Sequence, residues 1–366
     1  MSAYIARRLL LIVPTLFGIM LINFIVIQFV PGGPVEQMIA QLTGDAVSAT
    51  ARVSGTDQGD TQQQAPSAGE ANSRYRGAQG LPPELIADLE RQFGLDKPAH
   101  ERFLLMMGNY IRFDFGESYF QDRSVAQLVM DKLPVSISLG LWTTLLVYLI
   151  SIPLGIGKAV RDGTRFDVWT SGLIIVGNAV PGFLFAILLI VVFAGGSYFD
   201  WFPLRGLVSA DWSTMTWGQR VVDYFWHLTL PLLSMVIGGF ASLTMLTKNS
   251  FIEEVGKQYV ITAWAKGSTR RRVLYGHIFR NAMLIVIAGF PAAFVGILFT
   301  GALLTEVIFS LDGLGLLGFE AALTRDYPVM FGTLYFFTLL GLVLGIVGDV
   351  MYHLVDPRID FETRDV

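Results

Sequence analysis

Apolar and polar positions along this chain follow two different periods. On the long scale, six runs contain no Asp, Glu, Lys or Arg: Leu9 to Val30, Leu133 to Gly157, Val168 to Ala194, Leu228 to Thr247, Asn281 to Thr305 and Pro328 to Gly348. A helix of about 20 residues covers the roughly 30 Å hydrocarbon core of a bilayer, and a charged residue at its centre costs about 2.5 to 3.5 kcal/mol. The runs therefore predict six transmembrane helices. Pro14, Pro153, Pro181, Pro231 and Pro291 fall inside or at the ends of these runs. They read as packing kinks, tolerated where neighbouring helices re-satisfy the freed carbonyls.

On the short scale, the segment between the first two runs shows helical spacing. Leu85, Ile86, Leu89 and Phe93 form one stripe ending at Gly94, and Phe103, Leu104, Met107, Tyr110 and Ile111 form another ending near Gly116. A third short helix is expected with Ser124 as its N-cap, where Val125, Leu128 and Val129 lead into the second span. Upstream, Ser48 to Gly80 has only Val53 and Tyr75 as large apolar side chains. Such a tract buries too little to offset an ordering entropy of about 1 to 2 kcal/mol per residue, so it is expected to be mobile.

Composition agrees with the spans: 53% of residues are hydrophobic, 15% are charged, and the mean hydropathy is +0.54, values hard to reconcile with a water-soluble domain. Charge then sets the orientation. Arg7 and Arg8, Lys158, Arg161 and Arg165, the loop from Lys248 to Arg280, and Arg358 and Arg364 all fall on one side. By the positive-inside rule that side is the cytoplasm, so both termini are expected there. The loop after the third span, on the other side, carries Tyr198, Trp201, Trp212, Trp217, Tyr224 and Trp226, the aromatic belt of an interface. The first run is longer than a signal-peptide core, and Val30-Pro31-Gly32-Gly33-Pro34 is a poor cleavage site, so it is read as a retained span.

Chemistry is sparse. With no cysteine there is no disulfide framework, thiolate nucleophile or cysteine metal site. The Gly-Lys pairs continue as Lys158-Ala159 and Lys257-Gln258, so there is no Walker A loop. His100, His227, His277 and His353 are isolated, and neither a zinc-protease nor a serine-hydrolase motif occurs, which argues against an enzyme. Polar residues within the runs are Asn23, Gln28, Thr143, Thr144, Asn178, Ser242, Thr244, Thr300 and Thr305. Most such residues bond across helices, and a minority line cavities. Glu306 and Asp349 lie at span ends within reach of headgroup water, which leaves a self-sufficient proton-coupled carrier or channel as a second reading. Asn23, Asn178 and Glu306 are the candidates for a translocation path.

The basic loop between the fourth and fifth runs is the most informative segment. Tyr259, Val260, Ala263 and Trp264 share one helical face, Gly267 suits a left-handed helix end, and Thr269 to Arg280 begins the next helix. A short helix lying crosswise at the inner face of the membrane is expected.

Tyr259-Val260-Ile261-Thr262-Ala263-Trp264-Ala265-Lys266-Gly267 resembles the "EAA" loop of ABC importer permeases in its peptide-permease form, with Trp264 where the family usually has Arg. Further matches run along nearly the whole chain: Arg7-Arg8-Leu9-Leu10, Pro31-Gly32-Gly33-Pro34, Phe93-Gly94-Leu95-Asp96-Lys97-Pro98, Leu133-Pro134, Ile152-Pro153-Leu154-Gly155, Arg325-Asp326-Tyr327-Pro328 and Asp356-Pro357-Arg358-Ile359. The chain is similar to the dipeptide and oligopeptide permease family. The blocks Phe202 to Ala210 and Phe309 to Gly318 resemble the Yej-type branch, whose importers carry peptides and microcin C.

The resemblance implies an all-α integral membrane protein of the type I ABC importer permease fold in a bacterial inner membrane. It implies residues 1–30 as N-terminus and first helix, 31–132 as an outer, periplasmic segment, 133–355 as a five-helix core with a coupling loop at 248–280, and 356–366 as a cytoplasmic tail. Implied partners are a second homologous permease, ATP-binding subunits that hold the ATP and Mg, a periplasmic peptide-binding protein, the peptide itself and membrane lipid. No cofactor in this chain and no nucleic acid is expected. Tyr259, Thr262, Ala263, Trp264, Ala265, Lys266 and Gly267 are the residues implied to couple the ATPase to the spans.

Overall fold

The computed structural model describes residues 2–30, 33–43, 83–196, 198–296 and 303–355. The tract Ser48 to Gly80, Thr300 and the tail 356–366 lie outside the described residues. Among the described residues the chain is helical, and an isolated bridge between Glu117 and Ser124 is the one β contact.

Four helices are long and apolar enough to cross a bilayer: α1 (Ser2–Phe29), α5 (Val125–Val160), α8 (Trp217–Val255) and α14 (Tyr327–Val355). Between α1 and α5 lie α2 (Pro34–Thr43), α3 (Pro83–Gln92) and α4 (Ala99–Tyr110). Two further apolar segments are bent pairs, α6 (Arg165–Ala179) with α7 (Gly182–Phe193) at 89°, and α10 (Arg270–Ala282) with α11 (Leu284–Gly296), which passes from Ala282 to Pro291 at 43°. Counting each pair as one span gives six. The short helices are α9 (Gln258–Ala265), α12 (Leu303–Ile308) and α13 (Leu314–Thr324).

The prolines do not all act alike. Pro14, Pro153 and Pro231 sit inside continuous helices. At Pro181 the helix stops instead. Val180 has φ −85° and ψ 118°, the extended conformation that a following proline ring favours, so the expected single run from Val168 to Ala194 is two helices nearly at right angles. The second break, at Met283, follows a π-helical turn over Leu274–Ile278.

The chain divides into two compact units. The first holds Met1–Leu9, Leu133–Gly315 and Leu340–Val366. One of its apolar clusters packs Leu139 of α5 and Ala186 and Leu189 of α7 against Leu228, Leu230 and Leu232 of α8. Another packs Val147 and Ile156 of α5, Leu243 and Phe251 of α8, Val260 of α9 and Val273 and Ile278 of α10. Gly155 permits a close approach of α5 to α8, since a Cβ there would lie 2.6 Å from Thr247 Cβ and 2.8 Å from the Thr244 carbonyl. Tyr4 donates to Asp349 at 3.1 Å and Arg8 pairs with it at 3.4 Å, so this carboxylate joins the start of α1 to α14.

The basic residues near the ends of these helices hold a surprise for a simple reading of loop charge. Lys158 is fully buried: its Nζ lies 3.0 Å from Asp167 Oδ1 and donates to Thr170 Oγ1 at 2.9 Å and Ser171 Oγ at 2.7 Å. Lys248 Nζ reaches Asp167 at 2.7 Å and Asp162 at 2.8 Å. This ionic knot ties α5, α6 and α8 together.

The second unit holds Leu10–Lys132 and Leu316–Leu339. Val35 and Ile39 of α2 pack on Leu89 and Phe93, and α3 gives way to Gly94 at φ 65°. In α4, Phe103, Met107 and Tyr110 are buried while Leu104 and Ile111 are exposed, so the stripe is narrower than the spacing suggested. No separate third helix forms. Ser124 caps α5 by accepting from Gln127 N at 3.3 Å, and the helix runs unbroken from Val125 to Val160. Asp326 anchors this unit: Ser118 Oγ donates to it at 2.5 Å and Tyr119 N at 3.2 Å. Burial still raises its pKa above the ordinary carboxylate range.

Candidate functional site

Two features of the first unit concern function: the short helix α9 and a cleft among α5, α7, α8, α11 and α12.

Helix α9 has an inner and an outer face. Val260 is fully buried and Ala263 partly, against α8 and α10, while Ile261, Thr262, Trp264, Ala265 and Lys266 are exposed. Tyr259 faces inward and donates to Glu254 Oε2 at 2.6 Å, and Lys257 also pairs with Glu254. Burial, followed by that hydrogen bond, pushes the Tyr259 hydroxyl up to about 12, and the Glu254 contact raises Lys257. Tyr259 therefore fastens α9 to the end of α8. The helix ends in a Schellman turn: Ser268 N donates to the Ala263 carbonyl at 3.2 Å and Gly267 N to that of Trp264 at 2.9 Å, with Gly267 at φ 78°. The seven implied coupling residues thus fall into groups. Tyr259 and Ala263 hold the helix, Gly267 shapes its exit, and Thr262, Trp264, Ala265 and Lys266 are presented outward. Ile261, half exposed beside Trp264, belongs with the outward group. The expected single face of Tyr259, Val260, Ala263 and Trp264 is thereby divided: Val260 and Ala263 pack inward, while Trp264, half exposed, lies with Ile261 on the outer side.

The cleft has a volume of about 540 Å³. Its walls are mostly apolar, with Thr143 and Thr144 of α5, Ser234 and Ser242 of α8 and Thr305 of α12 supplying hydroxyls. Gly182, Gly238, Gly239 and Gly289 line it where side chains would narrow it. Ser234 donates to the Pro231 carbonyl at 2.7 Å and Thr143 to Met235 Sδ at 3.7 Å. Thr144 Oγ1 is buried with no hydrogen-bond partner. A buried hydroxyl left unpaired costs about 1 to 3 kcal/mol. Several mostly apolar walls with a few hydroxyls suit cargo recognised through backbone groups and bulk.

Asn23, Asn178 and Glu306 do not line this cleft. Asn23 is exposed and donates to the Ile19 carbonyl of its own helix at 2.8 Å, and Asn178 is exposed near the end of α6. Glu306 adjoins Thr305 but turns away and is fully buried, contrary to its expected access to headgroup water. Ser136 Oγ donates to Glu306 Oε1 at 3.3 Å and itself accepts from Leu314 N at 2.8 Å. Gly313 and Gly315 leave room for the carboxylate. Sequence singled out Glu306 because a carboxylate beside a span is conspicuous, whereas the cleft is built from hydroxyls and glycines that are common in any span.

Residues 151–361 match the family described as "Binding-protein-dependent transport system inner membrane component". The chain is 64% identical over its full length to the whole of the peptidoglycan transport system permease protein YejB of Agrobacterium fabrum. It is 60% identical, again with both chains fully covered, to the inner membrane ABC transporter permease protein YejB of Escherichia coli O157:H7. With the oligopeptide transport system permease protein AppB of Bacillus subtilis it shares 30% identity, over 99% of this chain and 100% of that one.

Proposed function

Since this chain belongs to the inner membrane components of binding-protein-dependent transport systems, as an ABC transporter permease of the peptide-importer type, we propose that it forms half of a peptide translocation path and takes up ATPase motion through α9. The observation that carries this is the build of α9. A fastened inner face, a fixed exit turn and an outward pair of Ile261 and Trp264 are what a rigid peg seated in a partner's groove requires.

In this reading the chain pairs with a homologous permease, two ATPase domains that hold ATP and Mg sit beneath α9, and an outer binding protein delivers peptide. The chain itself is non-catalytic. With each bent pair taken as one span and the basic loops inward, both termini and α9 lie in this reading on the cytoplasmic side of a bacterial inner membrane, with α3 and α4 outside. Closure of the ATPase domains rocks the spans and opens the cleft to alternate sides. The cargo is a peptide or a peptide-bearing fragment. Peptidoglycan fragments and microcin C-like peptides both belong in the test set, the former because the Agrobacterium relative is described by that cargo.

Two observations weigh against a self-sufficient proton-coupled carrier. Glu306 is sealed beneath the turn at Gly313, and Asp349 is paired with Tyr4 and Arg8. Native mass spectrometry of the chain extracted in mild detergent tests the proposal. A particle containing a second permease and ATPase subunits is expected; a lone chain or homo-oligomer overturns it.

A further inference from the structure

We propose that the turn between α5 and α6 holds the headgroup of an anionic phospholipid, with an acyl chain lying along the outer face of α6. Three arginines come together at this turn. Arg270 Nη2 donates to the carbonyl of Val160, the last residue of α5, at 3.2 Å, and Arg161 is next in the chain. Thr164 donates back to the Arg161 carbonyl, from N at 3.1 Å and from Oγ1 at 2.6 Å. That closes a turn and sets Arg165, the first residue of α6, close to Arg161. The Arg161 guanidinium lies over the Phe166 ring at 5.2 Å, and all three arginines are exposed.

The acids nearby do not offset this charge. Asp167 is taken by Lys158 and Lys248, and Asp162 by Lys248, so two carboxylates balance two lysines. Among the described residues no carboxylate pairs with Arg161, Arg165 or Arg270. Guanidinium groups gathered without a counter-charge are matched by a phosphate diester, whose oxygens accept from several N–H groups at once.

The helix face that follows marks the phosphate as a lipid's. Phe166, Trp169, Leu173 and Val176 recur at helical spacing and are exposed, Trp169 by 79% and Leu173 by 71%. The stripe begins beside the arginines and follows α6 for about 15 Å at 1.5 Å per residue. Trp169 stands one turn in from Arg165, as an indole does at the boundary between headgroups and hydrocarbon. A free phosphate would use the arginines alone and leave the stripe unexplained. The inference requires that α6 lies in the membrane, and it is independent of the importer reading.

The test is native mass spectrometry of the full chain with the subunits it retains, stripped of lipid in mild detergent. It is titrated with phosphatidylglycerol or phosphatidylcholine of the same acyl chains. The first phosphatidylglycerol is expected to bind saturably and about tenfold or more tighter than phosphatidylcholine. That preference should be lost in the double variant Arg161→Gln, Arg165→Gln. It should be kept in Arg271→Gln, Arg272→Gln, which removes as much charge from the basic loop after α9. An unchanged thermal midpoint identifies a variant as folded, and Arg270→Gln serves if the first double variant does not fold. Equal affinity for the two lipids, or equal loss of preference in both double variants, overturns the proposal. Displacement of phosphatidylglycerol by equimolar inorganic phosphate also overturns it, because it assigns the arginines to a free anion. So does loss of another subunit from the Arg161, Arg165 variant with its lipid binding unchanged, which assigns them to a protein partner. A chain that carries no other subunit yet keeps the preference supports the lipid site and sinks the importer reading alone.

Discussion

Glu306 shows how much a single position depends on its neighbours. Its carboxylate occupies space that only glycine leaves free, because a Cβ on Gly313 would fall 2.2 Å from Glu306 Oε1 and 2.4 Å from Cδ. Gly313→Ala is therefore expected to destabilise the protein by about 1 to 3 kcal/mol, the range for overpacking, seen as a lower thermal midpoint in detergent. Glu306→Gln keeps the shape and an acceptor for Ser136 Oγ, so peptide uptake should survive it. A transport-dead but folded Glu306→Gln protein would revive the proton-carrier reading. Thr144 presents a different situation, a hydroxyl buried in the wall of the cleft with nothing to bond. Thr144→Val should leave stability unchanged or slightly raised, read as the thermal midpoint in detergent, since an unpaired buried hydroxyl contributes nothing to the fold. A lowered thermal midpoint would refute that account.

Among the elements, α9 makes the sharpest forecast. Gly267 has open space around its Cα but a backbone at φ 78°, so the penalty for any L side chain is conformational rather than steric. Gly267→Asp is expected to leave assembly largely intact and to uncouple ATP hydrolysis from uptake; normal uptake in that variant would refute it. Where α5, α6 and α8 meet, Asp167 serves both Lys158 and Lys248. Removing the shared carboxylate strands buried charge, whereas removing Lys158 leaves the other pair in place. Asp167→Asn should thus cost more than Lys158→Met, approaching the roughly 3 to 5 kcal/mol of a broken buried pair, by comparison of thermal midpoints. The reverse order would show that Lys248 does not share the load. These elements differ in how readable they were. The long helices announced themselves by runs without charge, and the exit of α9 by Gly267. The ionic knot did not, because Lys158 in sequence is indistinguishable from any loop lysine obeying the positive-inside rule. The break at Val180 was hidden for a similar reason: Pro181 has the same local signature as Pro153, and only the backbone of the preceding residue tells them apart.

For the whole molecule, the runs without charge indicated a protein of several membrane-length apolar helices, and the loop Tyr259 to Gly267 pointed to its family. The cleft was out of reach, since it depends on which faces of separate helices meet. If the importer reading holds, the purified chain alone in liposomes will not accumulate peptide under a pH gradient, and accumulation would refute it.

The contact at Gly155 has a mechanical consequence. There α5 and α8 meet backbone to side chain with no spare space, and the ionic knot fastens α6 to both, so this end of the three helices deforms as one solid. Helix α9 is fastened to the same solid through Glu254. Compliance is left to the two interruptions of the backbone, extended Val180 and the turn at Met283. Each is followed within a few residues by cleft wall, Gly182 and Phe183 after the first, Ile285 and Val286 after the second. Under the proposed coupling, a push on α9 would meet a stiff lever with two joints, and the strain it delivered would go into the width of the cleft rather than along the helices.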